Sequence, residues 1–186
     1  MNFLTSIDIS ILNFIRENLT NHFLDMIMTT ITKLGDGGNI WIILTIFFLV
    51  KKEYRSLGKI LLIAIITNAI VVNLILKPLV GRIRPFDLVS GIRIIINKPR
   101  DFSFPSGHTS ISFAFLTVIL FFVRSKKFKI FSAILAILMA FSRLYLYVHY
   151  PSDVIAGAII GYLCGLFAKK VYEKNLFKSF FDKKIE

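Results

Sequence analysis

Three short polar clusters interrupt a strongly apolar sequence, and they hold residue types that could carry out phosphoryl transfer. The first is "KPLVGRIRP" at residues 77–85, and the second is "FPSGHTS" at residues 104–110. The third is "SRLYLYVHYPSD" at residues 142–153. Charged side chains near hydrocarbon are costly unless they are paired or line a polar cavity. Such clusters therefore indicate a site.

The basic residues of these clusters predict a site for a phosphate group. Lys77, Arg84 and Arg143 supply three cations, and the planar guanidinium of arginine matches the geometry of phosphate oxygens. Ser106 and Gly107 precede an apolar helix, whose first backbone N–H groups and dipole also favour an anion. We therefore expect these five residues to bind phosphate.

Two histidines and an aspartate could supply the chemistry at such a site. Asp153 follows His149 by four residues, within reach of its ring across the start of a helix. A carboxylate bonded to one ring nitrogen leaves the other free as a nucleophile. His108, on a separate helix, could give a proton to the leaving oxygen. A zinc site built from these three side chains is disfavoured, because the neighbouring cations would repel a divalent metal ion.

The pattern K-x6-RP, PSGH, SR-x5-H-x3-D resembles the signature of the type 2 phosphatidic-acid phosphatase superfamily. That family includes membrane lipid phosphatases, bacterial soluble acid phosphatases and vanadium haloperoxidases. All eleven specified identities are present in order: Lys77, Arg84, Pro85, Pro105, Ser106, Gly107, His108, Ser142, Arg143, His149 and Asp153.

The resemblance implies a role for each polar residue of the signature. His149 would form a phosphohistidine, His108 would be the general acid and Asp153 would orient His149. The transferred group would be bound by Lys77, Arg84, Arg143 and the Ser106–Gly107 segment. Arg82 lies outside the strict signature and is a possible additional phosphate ligand. The resemblance implies no metal and no cofactor.

The elements that must position these residues are predicted to be membrane helices. The chain of 186 residues is 55% hydrophobic and only 18% charged, and spanning helices need about 20 apolar residues. The spans are expected at residues 58–76, 108–123, 127–148 and 152–171, with shorter candidates at 39–50 and 21–34. The fold is therefore predicted as all-α, one domain over residues 1–186, with about six transmembrane helices. Residues 3–15 suit an amphipathic helix in the membrane interface, with an apolar face formed by Phe3, Ile7, Ile11, Phe14 and Ile15.

The distribution of basic residues predicts the orientation. Lys and Arg concentrate in residues 51–59, 124–129 and 169–184, which alternating spans put on one side, the cytoplasm. All three polar clusters then meet at the opposite, extracytoplasmic face. The net charge of +12 is explained by these loops and by anionic lipid rather than by nucleic acid.

Two further segments leave alternatives open. Gly157, Gly161 and Gly165 form overlapping GxxxG steps, for which packing within the bundle is favoured over dimerisation. The loop 86–104, with Arg93, Lys98 and Arg100, could contact a substrate headgroup or lie solvated at the membrane surface. The oligomeric state is not predicted.

The sequence thus predicts a multi-pass, metal-independent lipid phosphatase whose partners are a lipid phosphate and membrane lipids. Undecaprenyl diphosphate is the preferred substrate, because the extra basic residues could hold a second phosphate. Phosphatidylglycerol phosphate and phosphatidate are the alternatives. A vanadium-dependent haloperoxidase is a distant one, and a non-catalytic lipid-phosphate binder would leave both histidines without a role.

Overall fold

The structure, a computed structural model, describes residues 3–174, and within that range it is helical with no β-strand. The predicted all-α fold is confirmed. The helices are α1 Phe3–Leu19, α2 His22–Leu34, α3 Asn39–Val50, α4 Arg55–Ala69, α5 Lys77–Val80, α6 Pro85–Leu88, α7 Gly107–Phe122, α8 Lys126–Tyr145 and α9 Pro151–Glu173. Three lysines of the predicted basic tail, Lys178, Lys183 and Lys184, lie outside the described residues.

The described residues contain fewer full-length membrane spans than the six predicted from the sequence. Three described stretches are long and apolar enough to cross a membrane: Lys52–Leu88, α8 and α9. The pair formed by α2 and Asp36–Val50 is bent by 45° and makes a fourth span if it is counted as one. The predicted count of six is not confirmed: α2 and α3 are each only about 18–20 Å long, and the span predicted at 108–123 is the 16-residue helix α7, about 24 Å long.

Local capping sets where the site-bearing helices begin. Asn21 accepts a hydrogen bond from the Leu24 amide at the start of α2, at 2.9 Å. Helix α9 begins with Pro151 in its first turn, where a missing N–H costs nothing, and the Asp153 carboxylate accepts from the Tyr150 amide at 3.1 Å. A predicted catalytic carboxylate is thus also part of a helix cap.

The three glycines of α9 pack this helix against α7, as the favoured alternative predicts. A Cβ atom on Gly157 would lie 2.7 Å from the Ser106 carbonyl oxygen. Gly161 meets the Ser110 backbone in the same way, and Gly165 meets Thr117. Because only glycine permits this approach, the first turns of α7 and α9 are held side by side, and both carry site residues.

Two apolar clusters hold the bundle together on either side of the site-bearing turns. One includes Trp41, Phe115 and Ile119 and fills the body of the bundle. The other includes Leu12 of α1, Met28 of α2 and the loop after α8, and it supports the end where the polar clusters meet. Val148 and Tyr150, the neighbours of His149, belong to this second cluster, so packed side chains fix the backbone at His149.

Helix α1 is apolar on its outer surface and buries a different face. Phe3, Leu4, Ile7, Ile11 and Phe14 are exposed, whereas Asp8, Ile9, Leu12 and Ile15 are buried. The predicted apolar face is thus correct except for Ile15. The exposed stripe suits contact with lipid. The burial of Asp8 beneath it was not foreseen.

Candidate active site

A cavity of about 770 Å³ opens at the end of the bundle where helix ends converge. Its walls combine the starts of α5, α6 and α7, the end of α8 and the turn between α2 and α3. The sequence-predicted residues that line it are Lys77, Arg84, Gly107, His108, Arg143 and His149. Of the other predicted residues, Ser106, Asp153 and Arg82 lie behind these walls.

Lys77 and Arg84 reach the cavity from a part of the chain whose backbone geometry changes twice. Residues Ile70–Leu76 form a π-helix, and Gly81 then takes a left-handed conformation (φ 59°) that ends α5. Arg84 is buried and donates from Nη1 to the Val148 carbonyl oxygen at 2.6 Å, next to His149. The first cluster is thereby tied directly to the third.

A carboxylate that the sequence analysis did not select lies between these cations. Asp101 accepts hydrogen bonds from Lys77 Nζ and, at 2.8 Å, from Arg84 Nη2. Partial burial alone would raise the pKa of Asp101, but the two adjacent cations hold it well below its usual range. Asp101 therefore stays ionised and occupies cationic groups predicted to bind phosphate.

Arg143 completes the cationic wall from the last turn of α8. Its Nη1 donates to the hydroxyl of Thr32 on α2, whereas its Nε has no hydrogen-bond partner among the described residues. Buried donors without partners are rare and costly. Arg143 thus lines the cavity and keeps one buried guanidinium N–H without an acceptor among the described residues.

His149 faces the cavity with one ring nitrogen and the protein with the other. Its Nε2 lies 3.1 Å from Arg84 Nη1, and its Nδ1 lies 3.6 Å from Asp153 Oδ2. Because the guanidinium can only donate, Nε2 must accept, which assigns the proton to Nδ1. Burial lowers the pKa of His149, and the positive charges of Arg84, Arg143 and Lys77 lower it further. The imidazole is therefore neutral near pH 7, with the nitrogen that faces the cavity unprotonated.

Ser106 is placed as a structural cap rather than on the cavity wall. Its hydroxyl lies 2.9 Å from that of Thr109 in the first turn of α7, and its amide donates to the Asp153 carbonyl oxygen at 3.1 Å. The amides left to face an anion at this helix start are those of Gly107 and His108, which have no intrahelical acceptor. That an anion binds at this helix start stays a prediction, and the amides open to it are those of Gly107 and His108 rather than of Ser106.

His108 contacts a second carboxylate that the sequence analysis missed. Its Nε2 lies 3.1 Å from Oδ1 of Asp36, in the turn between α2 and α3. This turn comes very close to the imidazole, since a Cβ atom on Gly35 would lie 2.8 Å from His108 Cδ2. Asp36 is thus the carboxylate next to the His108 ring. Asp36 could have been selected from the sequence, because the predicted alternation of helices puts residues 35–39 at the same end of the bundle as the three polar clusters.

The loop after α6 forms the outer rim of the cavity. Arg93, Lys98 and Asp101 line it together with Lys33 from the end of α2. The alternative in which this loop faces a headgroup is thus favoured for Arg93 and Lys98. Within residues 3–174 no group of three or more His, Cys, Asp or Glu side chains is arranged to hold a metal ion.

Arg82 is not a ligand of the cavity. Its guanidinium points to the opposite side of Asp153, where Nη1 donates to Asp153 Oδ1 at 2.6 Å. The expectation of an additional phosphate ligand is therefore not met by this geometry. The side chain is instead part of the support behind His149.

Comparison with known proteins shows that this chain is similar to lipid phosphatases. The undecaprenyl-diphosphatase of Sulfolobus acidocaldarius is 36% identical over 74% of this chain, which spans 66% of that protein. The lipid A 4'-phosphatase of Bacteroides thetaiotaomicron is 32% identical over 86% of the chain and 74% of its own length.

A solved structure supports the same assignment for the fold. The transmembrane PAP2-type phosphatidylglycerolphosphate phosphatase from Bacillus subtilis superimposes with a TM-score of 0.75 at 25% identity. The match covers 94% of this chain and 88% of that one. These relatives and the multiple apolar helices indicate a multi-pass membrane protein. Residues 57–177 match the PAP2 superfamily, and the chain belongs to that family.

Proposed function

We propose that the protein is a metal-independent lipid phosphatase that acts through a phosphohistidine at His149, with undecaprenyl diphosphate as its preferred substrate. The observation that carries the proposal is the orientation of His149. Its unprotonated Nε2 faces a cavity walled by Lys77, Arg84 and Arg143, while Nδ1 faces Asp153.

Substrate binding would exchange one anion for another. The terminal phosphate takes the position next to Lys77 and Arg84 that the Asp101 carboxylate holds, and it also accepts from the free Arg143 Nε–H. The amides at the start of α7 add two further donors. Since phosphoryl transfer depends mainly on positioning and charge neutralisation, this set supplies most of what the reaction needs.

The proposed reaction has two chemical steps. Nε2 of His149 attacks phosphorus, the bond from phosphorus to the leaving oxygen breaks, and His108 gives that oxygen its proton. In the second step neutral His108 takes a proton from water, whose oxygen attacks the phosphohistidine and releases inorganic phosphate. The negative charge of the bound substrate, together with Asp36, stabilises the imidazolium form of His108 that the first step needs.

The choice of a diphosphate rests on the rim of the cavity. Lys33, Arg93 and Lys98 add three cations beyond those that surround one phosphoryl group. A second phosphate would be neutralised there, and the Sulfolobus relative is named for the same substrate. Phosphatidylglycerol phosphate is the second candidate, because the protein of similar structure from Bacillus subtilis is named for it.

The proposed site faces the outside of the cell. The basic segments 51–59 and 124–129 lie at the end of the bundle away from the cavity, which by the positive-inside rule is cytoplasmic. The C-terminus then also lies on the cytoplasmic side. Modification of a single introduced cysteine by a membrane-impermeant thiol reagent in intact cells would test this, with Arg93→Cys labelled and Arg124→Cys protected in a variant lacking Cys164.

The deciding experiment is release of inorganic phosphate by detergent-purified protein in EDTA, from undecaprenyl diphosphate and from phosphatidylglycerol phosphate, beside His149→Ala. We expect release to survive chelation, to vanish in the variant and to be faster with the diphosphate. Release abolished by EDTA would refute the metal-independent mechanism. Faster release from phosphatidylglycerol phosphate would transfer the assignment to that lipid.

A further inference from the structure

Arg82 joins two buried carboxylates on the protein side of His149. Its Nη1 donates to Asp153 Oδ1 at 2.6 Å and its Nη2 donates to Asp8 Oδ2 at 2.8 Å. The guanidinium also lies over the ring of Tyr150, 3.8 Å from the centroid. Both hydrogen bonds and the stacking fix the plane of the guanidinium, and with it the side of Asp153 that it can reach.

Asp8 belongs to α1, far from the signature in sequence and only 2% exposed. Both of its oxygens are used: Oδ1 accepts from the Ser152 amide at 3.0 Å, and Oδ2 accepts from the Ser152 hydroxyl at 2.5 Å and from Arg82. A buried carboxylate persists only when it is paired and hydrogen-bonded. Among residues 3–174, its side-chain hydrogen bonds are to Arg82 and to the first turn of α9, which also carries Asp153.

Asp153 is held on every side as a result. Its Oδ2 accepts from the Ser103 hydroxyl at 2.5 Å and from the Tyr150 amide at 3.1 Å, and the same oxygen lies 3.6 Å from His149 Nδ1. Arg82 occupies the remaining oxygen. The carboxylate therefore cannot rotate away from the imidazole without breaking an ion pair.

We infer that Asp8 and Arg82 are positioning residues for the nucleophile: Arg82 fixes Asp153 and offsets part of its charge, and Asp8 in turn offsets Arg82. Helix α1 thereby contributes to the active site through Asp8. This inference rests on the proposed role of His149 as the nucleophile.

The charges of Arg82 and Asp8 have opposite effects on the protonation of the His149 imidazole. Removing the cation at Arg82 leaves Asp153 less compensated, which favours imidazolium, whereas removing the anion at Asp8 has the reverse effect. The other charged or titratable groups around His149 stay in place in both variants. They are Arg84, Arg143, Lys77, Asp101 and His108.

The test is a titration of His149 in detergent by NMR of imidazole-labelled protein, compared between wild type, Arg82→Gln, Asp8→Asn and the double variant. The sequence holds three histidines, so the His149 signal is assigned by its absence in His149→Ala. We expect Arg82→Gln to raise the titration midpoint by roughly one pH unit, an interaction of the size expected for a charge at this range. Asp8→Asn should lower it or leave it below the measurable range, and the double variant should lie between the two single ones.

The control variant is Asn13→Ala. Asn13 also anchors α1 to the loop that carries His149, by accepting a hydrogen bond from the Tyr147 hydroxyl at 2.7 Å, but it does not touch Asp153. It should leave the midpoint and the lipid phosphatase kcat near wild type. Arg82→Gln should lower kcat with little change in KM, and Arg82→Lys should recover part of the loss.

Midpoints that shift in the same direction in Asp8→Asn and Arg82→Gln would overturn the inference, because general loosening acts alike in both. Equal losses in Asn13→Ala and Asp8→Asn would also overturn it. If Arg82→Gln does not fold, Arg82→Lys, which keeps the charge, should leave the midpoint near wild type while Asp8→Asn lowers it, and a rise of the midpoint in Asp8→Asn would overturn the inference. A titration as expected in a protein that forms no phosphohistidine would instead refute the proposed function and leave the charge coupling in place.

Discussion

The two sides of His149 use the same residue types and differ in how their charges are paired. On the cavity side, Lys77 and Arg84 share Asp101, whose side chain is 52% exposed. On the protein side, Arg82 is shared by Asp8 and Asp153, whose side chains are 3% and 0% exposed. Both arrangements are salt-bridged, but only one faces water.

The difference in exposure distinguishes Asp101, an anion that can be exchanged, from Asp8 and Asp153, which stay in place. A half-exposed carboxylate regains hydration when it leaves its partners, so its release costs little. A buried carboxylate that loses its cation is left uncompensated at a cost of about 3–5 kcal/mol. The cavity side is therefore suited to exchange of an anion, and the protein side to keeping one geometry. The predictions below test this division.

The largest effect is expected where the two sides meet. His149→Ala should lower phosphate release by about 10⁴-fold or more, since a covalent nucleophile is lost. Elution and thermal stability of the detergent-purified variant should match wild type. Residual activity within tenfold of wild type would contradict the role of His149.

His108→Ala should lower hydrolysis of the lipid by about 10²–10⁴-fold, the usual contribution of a general acid. A substrate with a good leaving group, such as p-nitrophenyl phosphate, needs no protonation, so its loss should be much smaller. Equal losses with both substrates would show that His108 does something other than protonate the leaving oxygen.

The cavity side and the protein side should respond differently to inorganic phosphate as an inhibitor. Arg143→Ala removes a direct ligand, so we expect inhibition to weaken and kcat/KM to fall by about 10²-fold. Arg82→Gln should leave the inhibition constant nearly unchanged. Arg55→Ala, at the far end of the bundle, serves as the neutral control. Similar weakening in both site variants would erase the distinction between the two sides.

Asp101→Asn should strengthen inhibition by inorganic phosphate by roughly 3–10-fold, because Lys77 and Arg84 lose a competing anion. The lowered pKa of Asp101 keeps it ionised down to well below pH 4, so the competition should be constant from pH 5 to 8. Weaker inhibition in this variant would mean that Asp101 assists binding instead of competing.

The smallest effect concerns pH. The rate should follow a bell-shaped profile, because His149 must be neutral while His108 is protonated. In the free enzyme burial and the adjacent arginines lower the pKa of His149, whereas a bound phosphate anion raises it again. The acid limb of kcat should therefore lie at higher pH than that of kcat/KM. Coincident limbs, or a flat profile from pH 5 to 9, would contradict this account.

Much of the site could be predicted where the residues concerned are only a few positions apart in the sequence. Asp153 follows His149 by four residues across the start of α9, and the glycines of α9 repeat every four residues along one helix face, so both relations could be predicted from the sequence. The meeting of the three clusters followed from the alternation of helices. The number of spans did not follow, since α2 and α3 form a bent pair of short helices.

The direction of Arg82 was not predictable. It lies two residues from Arg84 in a segment without regular structure, between a left-handed Gly81 and Pro85. In such a segment spacing does not fix where a side chain points. One arginine therefore reaches the cavity and the other reaches the rear of Asp153.

The amino-acid sequence by itself determined the family, the helical membrane fold and the ordered set of basic and imidazole side chains, because these depend on residue type and on separations of a few residues. Only the tertiary structure decided which carboxylates pair with those charges. Asp8, Asp36 and Asp101 lie in three separate segments, and each meets its partner across the bundle. Coulombic energy depends on distance in space and on burial, and neither is a property of spacing along the chain.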